Sequence, residues 1–301
     1  MYFDLILNSP VFLKEKTALL QGKGSHAYII EGAKGIGKKA FALAASCVHF
    51  CQSADKPCFT CPGCRKALEG IHPDLHFIYP DGNMLKVDQV REVLSTVYES
   101  AYEGASKIYV FEDFHIANEH AQNALLKTLE EPPKSVTFFL LCENSLKLLP
   151  TIRSRCKKLR LNEFSEREIL SQIQKTFPDN EKNEFVAKES FGNIGRAINL
   201  ISDERYAFLN LLVTDILSNK GLTHGHIEMI LEKEKDDFRT IAELLELKLF
   251  QKFRETKDTD YLLKLKAVQE SLAAKQKNVN SGLIFDRLAY TLAKGGQTWH
   301  R

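Results

Sequence analysis

Two stretches of this 301-residue sequence carry residue types at spacings that can do chemistry. The first is CQSADKPCFTCPGC, residues 51–64, where Cys51, Cys58, Cys61 and Cys64 stand in a C-x6-C-x2-C-x2-C arrangement. Overlapping C-x2-C turns aim their thiolates inward, Pro62 and Gly63 make the tight knuckle, and Cys51 supplies the fourth corner of a tetrahedron. A closed sulfur shell suits a structural Zn²⁺ and leaves no position open for a catalytic water. Redox chemistry is the competing reading, but four clustered cysteines in a long chain that does not look secreted favour metal. Cys47, one helical turn before Cys51, is the alternative fourth ligand, and Cys142, at the end of an apolar run, reads as a core cysteine. The metal would hold an insertion of about residues 47–72 that is too short to build its own core. Site formation could supply on the order of 10 kcal/mol of local folding energy.

The second stretch is EGAKGIGKKA, residues 31–40. Gly32, Gly35 and Gly37 can turn backbone N–H groups toward a phosphate, and Lys38 can reach its terminal oxygens. The next position of a working phosphate loop is a Ser or Thr whose hydroxyl binds Mg²⁺. Here it is Lys39, which has no acceptor atom. An ammonium about 4 Å from a dication is disfavoured by up to roughly 8 kcal/mol at an effective dielectric of 20. Swinging Lys39 outward would avoid that repulsion without restoring the ligand. The acidic pair expected after a later hydrophobic strand follows KIYVF as Glu112 and Asp113, in the reverse of the Asp-Glu order. Each carboxylate's reach changes by a methylene, and about 1 Å of misplacement can cost 100-fold in rate. The two pieces in this order predict a nucleotide fold whose catalytic parts have drifted.

The elements around these residues are readable. AYIIE (27–31), LHFIY (75–79), KIYVFED (107–113), VTFFLLC (136–142) and CKKLRL (156–161) read as strands, the continuous apolar ones as buried parallel strands. Between them, Val87, Val90, Leu94, Val97 and Ala101 predict a helix over 87–103, and Ala121, Ala124, Leu125 and Leu129 one over 120–131, stopped by Pro132-Pro133. Alternating strands and helices indicate a three-layer α/β domain. Ser165 and Glu168 form a capping box before a helix with Ile169, Leu170 and Ile173 on one face. Further helices are expected at about 181–190 and after Gly192, and only helical patterns follow from about 204 to 294. The ending GGQTWHR reads as a frayed tail.

Composition excludes several classes of function. Lys plus Arg is 41 against 39 Asp plus Glu, so bulk charge argues for neither nucleic acid nor an anionic membrane. The start, MYFDLILNSP, lacks a basic leader, and no apolar run approaches the roughly 18 residues of a spanning helix, which makes a cytoplasmic protein the expectation. His26, His72, His115 and His120 lack any accompanying nucleophile arrangement and read as packing or capping residues.

Several stretches together resemble one family: SHAYIIEGAKGIGKKA (25–40), CFTCPGC (58–64), HPDLHFI (72–78), VDQVREV (87–93), NALLKTLEEPP (123–133), TIRSRC (151–156) and NVNSGLIFDRL (278–288) are similar to bacterial clamp-loader subunits of DNA polymerase III, nearer to the delta-prime branch than to the ATP-hydrolysing gamma/tau branch. The resemblance implies an AAA+ architecture. A RecA-like domain with a parallel five-stranded sheet and the zinc insertion would occupy 1–162, a three-helix lid 163–203, and an all-α collar 204–301. It implies partners, namely gamma/tau and delta subunits, the sliding clamp and primed DNA, and a part in DNA replication within a polymerase holoenzyme. It also implies a degenerate nucleotide site with no ATPase activity of its own, though Lys38 leaves weak phosphate binding open. The sensor position falls in Cys142-Glu143-Asn144, and the lid motif G-x-x-R-x-A places Gly195 where its arginine belongs, with Arg196 shifted by one. Ser154-Arg155-Cys156 is intact, and Arg155 would be an arginine finger acting in a neighbouring subunit's ATP site. Apart from the family, Arg155 reads as a solvated arginine in a basic run. An active ATPase and a DNA-reading cysteine module are the competing functions; the single aromatic and short basic pair of CFTCPGCRKALEG are thin support for the second.

Overall fold

In the computed structural model of this protein, the described residues are 3–293 except 83, 104–105, 219–220 and 278, so the GGQTWHR ending lies outside them. The five expected strands form one parallel sheet. They are β1 (Ala27–Glu31), β2 (Leu75–Ile78), β3 (Lys107–Phe111), β4 (Val136–Cys142) and β5 (Lys157–Arg160), in the order β2-β3-β4-β1-β5. Every residue of β3 and β4 is buried, because helices cover both faces of a parallel sheet. The period of two divides the strand residues between two cores. Tyr28, Ile30, Val110, Phe139 and Leu141 join one. Ala27, Ile29, Phe111, Phe138 and Leu140 join the other.

The first helices are α1 (Phe3–Leu7), α2 (Pro10–Leu20), α3 (Lys38–Phe50), α4 (Pro62–Leu68), α5 (Val87–Thr96), α6 (Glu119–Glu130) and α7 (Pro150–Arg153). Helix α5 stops well before the expected residue 103. The buried Asp74 carboxylate accepts the backbone N–H groups of Tyr102 (2.6 Å) and Glu103 (2.8 Å), and Lys107 Nζ caps Thr96 O at 3.0 Å. These remote acceptors and donors satisfy the chain better than further helical turns would. After β5 come α8 (Glu166–Thr176), with the Ser165–Glu168 capping box formed, α9 (Asn183–Glu189) and α10 (Ile194–Ser202).

The chain divides into two compact units, Met1–Ile198 and Asn199–Arg301. The second continues with α11 (Glu204–Ser218), α12 (His224–Lys233), α13 (Phe238–Thr256), α14 (Asp260–Gln276) and α15 (Ser281–Ala293). These helices enclose their own core, centred on Val213, Phe238, Ile241, Leu245, Phe285 and Leu288. Among the described residues, no helix is long and apolar enough to cross a membrane.

The C-terminal rim of the sheet is tied by Glu31. Its Oε2 accepts Ser145 N at 2.8 Å and pairs with Lys158 Nζ at 3.0 Å. Burial alone would raise this carboxyl's pKa; the Ser145 and Lys158 bonds outweigh it and hold the value at about 2. A depressed carboxyl contributes stability above its unfolded pKa and loses it as pH falls toward the folded one. Glu31→Gln should therefore lower unfolding free energy by about 1–2 kcal/mol at pH 7. Urea melts at pH 7 and pH 3 should show the gap between variant and wild type narrowing at the lower pH.

Candidate functional site

The loop between β1 and α3 is already filled by its own side chains. Lys38 is buried, and its Nζ donates to Gly32 O (2.9 Å) and Ala33 O (3.1 Å), so the ammonium folds back onto the loop. Burial lowers its pKa, and the charges of Glu143 and Asp113 oppose that shift. Lys39 does not swing into solvent. Its Nζ lies 3.0 Å from Glu112 Oε1 and donates to Tyr79 OH at 2.8 Å. It also stands 4.9 Å and 4.8 Å from the Phe77 and Tyr79 ring centroids. The residue in the metal-ligand position thus pairs with the first member of the acidic pair. Burial alone would lower the Lys39 pKa, but Tyr79 and Glu112 raise it. Asp113, in the left-handed region at φ 46°, comes within 4.8 Å of His115 and Glu143, an arrangement whose countercharge Lys38 supplies.

The loop is also roofed. Gly195 N, at the start of α10, donates to Gly35 O at 2.9 Å, and Asn193 Nδ2 donates to Lys34 O at 2.8 Å. Gly35 has φ +82°, and a Cβ there would stand 2.8 Å from Asn193 Oδ1. A Cβ on Gly195 would stand 2.7 Å from Gly35 Cα. From another side, Ile6 of α1 covers Gly37, where a Cβ would meet Ile6 Cδ1 at 2.7 Å. Arg196 turns away from the loop, its Nη1 donating to Ser190 O at 2.8 Å. At Gly195, where the resemblance expects an arginine, the structure has a backbone contact with Gly35.

Four thiols gather at the other end of α3. The sulfurs of Cys51, Cys58, Cys61 and Cys64 lie within 4.8 Å of one another, a donor set that fits a tetrahedral thiophilic ion. Cys58 N donates to Cys51 Sγ (3.4 Å) and Cys61 N to Cys58 Sγ (3.3 Å), the N–H···S pattern of a tight knuckle. Hydrogen bonds from Thr60, and then from Cys61, pull the Cys58 thiol down to about 6. Gly63 packs so closely that a Cβ would stand 2.3 Å from Phe50 O. Cys47 stays outside the group: it is buried, its Sγ lies 3.8 Å from Cys64 O, and burial pushes its thiol up to about 12. Cys142 is buried in β4, as expected of a core cysteine, with its thiol likewise raised to about 12. In the second unit, His224, Glu228 and Asp286 also come within 4.8 Å of one another, but His224 Nε2 is already engaged by Asp286 Oδ1 at 2.8 Å.

Arg155 follows α7. Its Nη1 donates to Thr151 O (2.9 Å) and its Nη2 to Glu130 Oε1 (2.5 Å), so it is ion-paired rather than simply solvated. Ser154 Oγ is spent on Thr151 O at 3.1 Å. Cys156 packs against the second core cluster, and burial raises its thiol to about 12, the character of a structural rather than a reactive cysteine. Sequence reasoning missed Tyr79, Asn193 and Glu130; none of them stands at a spacing that links it to its partner.

Gly195→Ala should destabilise the first unit by about 1–3 kcal/mol, the range for overpacking a tight contact. A lower urea midpoint at unchanged slope is the expected reading; an unchanged midpoint would mean that the roof yields freely.

Residues 9–165 match the family described as DNA polymerase III, delta subunit. The chain is 32% identical over 228 residues to DNA polymerase III subunit gamma of Buchnera aphidicola subsp. Schizaphis graminum, covering 71% of this chain and 62% of that protein. It is 32% identical over 211 residues to DNA polymerase III subunit delta' of Bacillus subtilis, covering 70% of this chain and 64% of that protein. The chain thus spans less than two thirds of the length of either relative. A solved DNA polymerase III gamma subunit-related protein from Thermotoga maritima has the same fold, with a TM-score of 0.52 at 17% identity over 95% of this chain and 99% of that one. The family match covers more than half of the chain, and this protein belongs to the DNA polymerase III delta-subunit family of clamp-loader proteins.

Proposed function

We propose that this chain is a delta-prime-like, non-hydrolysing subunit of a DNA polymerase III clamp loader, a cytoplasmic assembly in which it takes part in loading the sliding clamp onto primed DNA. The observation that carries the reading is the Lys39–Glu112 pair: the metal's place beside the acidic residue is held by an ammonium of the chain itself. An ammonium in that place can neither bridge phosphate oxygens nor orient an attacking water as Mg²⁺ would. Gly32, Gly35, Gly37 and Lys38 keep the outline of the phosphate loop, but the Lys38 ammonium rests on loop carbonyls and α10 roofs the backbone.

The same reading gives Arg155 its task. A guanidinium is always charged and planar, and it can stabilise phosphate charge developing on a neighbouring gamma/tau subunit. Ser154 and Cys156 serve the turn that presents it, through a backbone hydrogen bond and core packing. The helices of residues 204–293 would join gamma/tau and delta partners as a collar, and α8 to α10 would act as the lid. Cys51, Cys58, Cys61 and Cys64 would hold a structural Zn²⁺, which when bound supplies cross-linking of the knuckle and no reaction step. A gamma/tau-like ATPase is the second reading, since a gamma subunit matches at the same 32% identity as a delta' subunit.

Titration calorimetry of the isolated chain with ATP, with and without Mg²⁺, separates the two. The stator reading expects no magnesium-dependent tight binding, whereas submicromolar Mg-ATP affinity would favour the ATPase. In a complex reconstituted with gamma/tau and delta, Arg155→Ala should leave assembly intact and reduce DNA-stimulated ATP hydrolysis by about tenfold or more. Equal hydrolysis by the variant would sink the trans-acting role. Metal analysis should return one zinc per chain; a metal-free protein with four freely titrating knuckle thiols would remove the zinc assignment.

A further inference from the structure

The Arg155 guanidinium is held at both terminal nitrogens. Nη1 bonds Thr151 O at 2.9 Å and Ser154 Oγ at 3.3 Å, both within four residues of Arg155. Nη2 bonds Glu130 Oε1 at 2.5 Å, and Glu130 is the last residue of α6, 25 positions upstream. Helix α6 is itself fixed, with Ala121, Leu125 and Leu129 buried in the second core. The anchor on Nη2 therefore ties the side chain to a rigid element, while the anchors on Nη1 tie it only to its own short turn.

The pair lies at the surface, with side-chain exposures of 32% for Arg155 and 49% for Glu130. Exposed ion pairs contribute little to folding. Their geometric effect is larger, because a free arginine loses much rotamer freedom when it is immobilised for catalysis. A guanidinium has five N–H donors in a rigid plane. The three bonds above leave at least two of them, on Nη2 and Nε, for an incoming oxygen. We propose that Glu130 is the positioning residue for the Arg155 finger, holding its plane so that these remaining donors meet the phosphate oxygens of a nucleotide bound by a neighbouring subunit. This rests on the trans-acting role of Arg155 proposed above. The carboxylate touches no nucleotide and acts only through the guanidinium.

The test is steady-state ATP hydrolysis by the 301-residue chain reconstituted with ATP-hydrolysing partners, primed DNA and clamp. Glu130→Ala should lower kcat by about three- to tenfold and leave KM for ATP within about twofold, because the finger acts in the transition state. Glu130→Gln, which keeps an acceptor oxygen, should recover about half or more of the lost rate. Adding Glu130→Ala to Arg155→Ala should slow the enzyme no further than Arg155→Ala alone, a coupling that a merely structural glutamate would not produce. An unchanged kcat in Glu130→Ala, when Arg155→Ala is impaired, overturns the positioning role and leaves the finger standing. A raised kcat also overturns it, since that marks Glu130 as a competitor that keeps the finger retracted. An additive double variant overturns it in favour of a structural role. If Arg155→Ala itself hydrolyses at the wild-type rate, the finger fails and this inference fails with it.

Discussion

The ion pair between Lys39 and Glu112 is the constraint around which the nucleotide-like pocket is organised. At 3.0 Å the gross attraction is about 5 kcal/mol at an effective dielectric of 20. With Lys39 at 47% side-chain exposure, solvent screening reduces the net contribution to about 1 kcal/mol or less. Its effect is therefore on ligand choice more than on stability. A magnesium ion entering here would have to displace an ammonium that is also bonded to Tyr79 and seated against two aromatic rings, and it would still lack the hydroxyl ligand.

The same logic runs along the whole C-terminal rim of the sheet, where open α/β folds bind ligands. Glu31 is answered by Lys158 and Glu112 by Lys39, while Asp113 and Glu143 act on the buried Lys38. Each carboxylate that could have drawn a metal–nucleotide pair to this edge has a lysine of the same chain near it. The roof completes the closure. Gly195 and Asn193 satisfy loop carbonyls directly, so opening α10 away from the loop would break two hydrogen bonds. In a switch, the lid and the loop must part and meet as ligand changes. Here the contact is built from glycine against glycine, with no room for a Cβ on Gly195.

Much of this was legible in the sequence, and the limit of legibility is physical. The central strands were readable because burial on both faces demands continuous apolar runs, and β4 spans the predicted 136–142. The Ser165–Glu168 capping box and the knuckle cysteines were readable because their partners lie within a few residues. The end of α5 was not, because its determinant is Asp74, far upstream and brought close only by the fold. The absence of a hydroxyl at Lys39 could be read from one position, but the engagement of Glu112 could not, since no periodicity links positions 39 and 112. Glu130 was quoted within NALLKTLEEPP yet carried no signal of its meeting with Arg155, for the same reason.

The cysteine knuckle and the phosphate loop, separate in sequence, meet through α3. This helix begins at Lys38, carries Lys39 in its first turn, and is capped at its far end by Cys51. Its 13 residues make a rod about 20 Å long. It is buried over most of its length, with Phe41, Ala42, Ala44, Ala45 and Cys47 at or below 1% exposure. Such a helix cannot tilt without disturbing the first core. At the C-terminal end, Gly63 packs on Phe50 O and the four thiols converge; at the N-terminal end, Lys38 and Lys39 reach the loop and the acidic pair. Anything that fixes the knuckle would fix the axis of α3, and with it the position of both ammonium groups. The knuckle is thereby coupled, from a helix length away, to the ammonium groups that rest on the loop carbonyls and on Glu112.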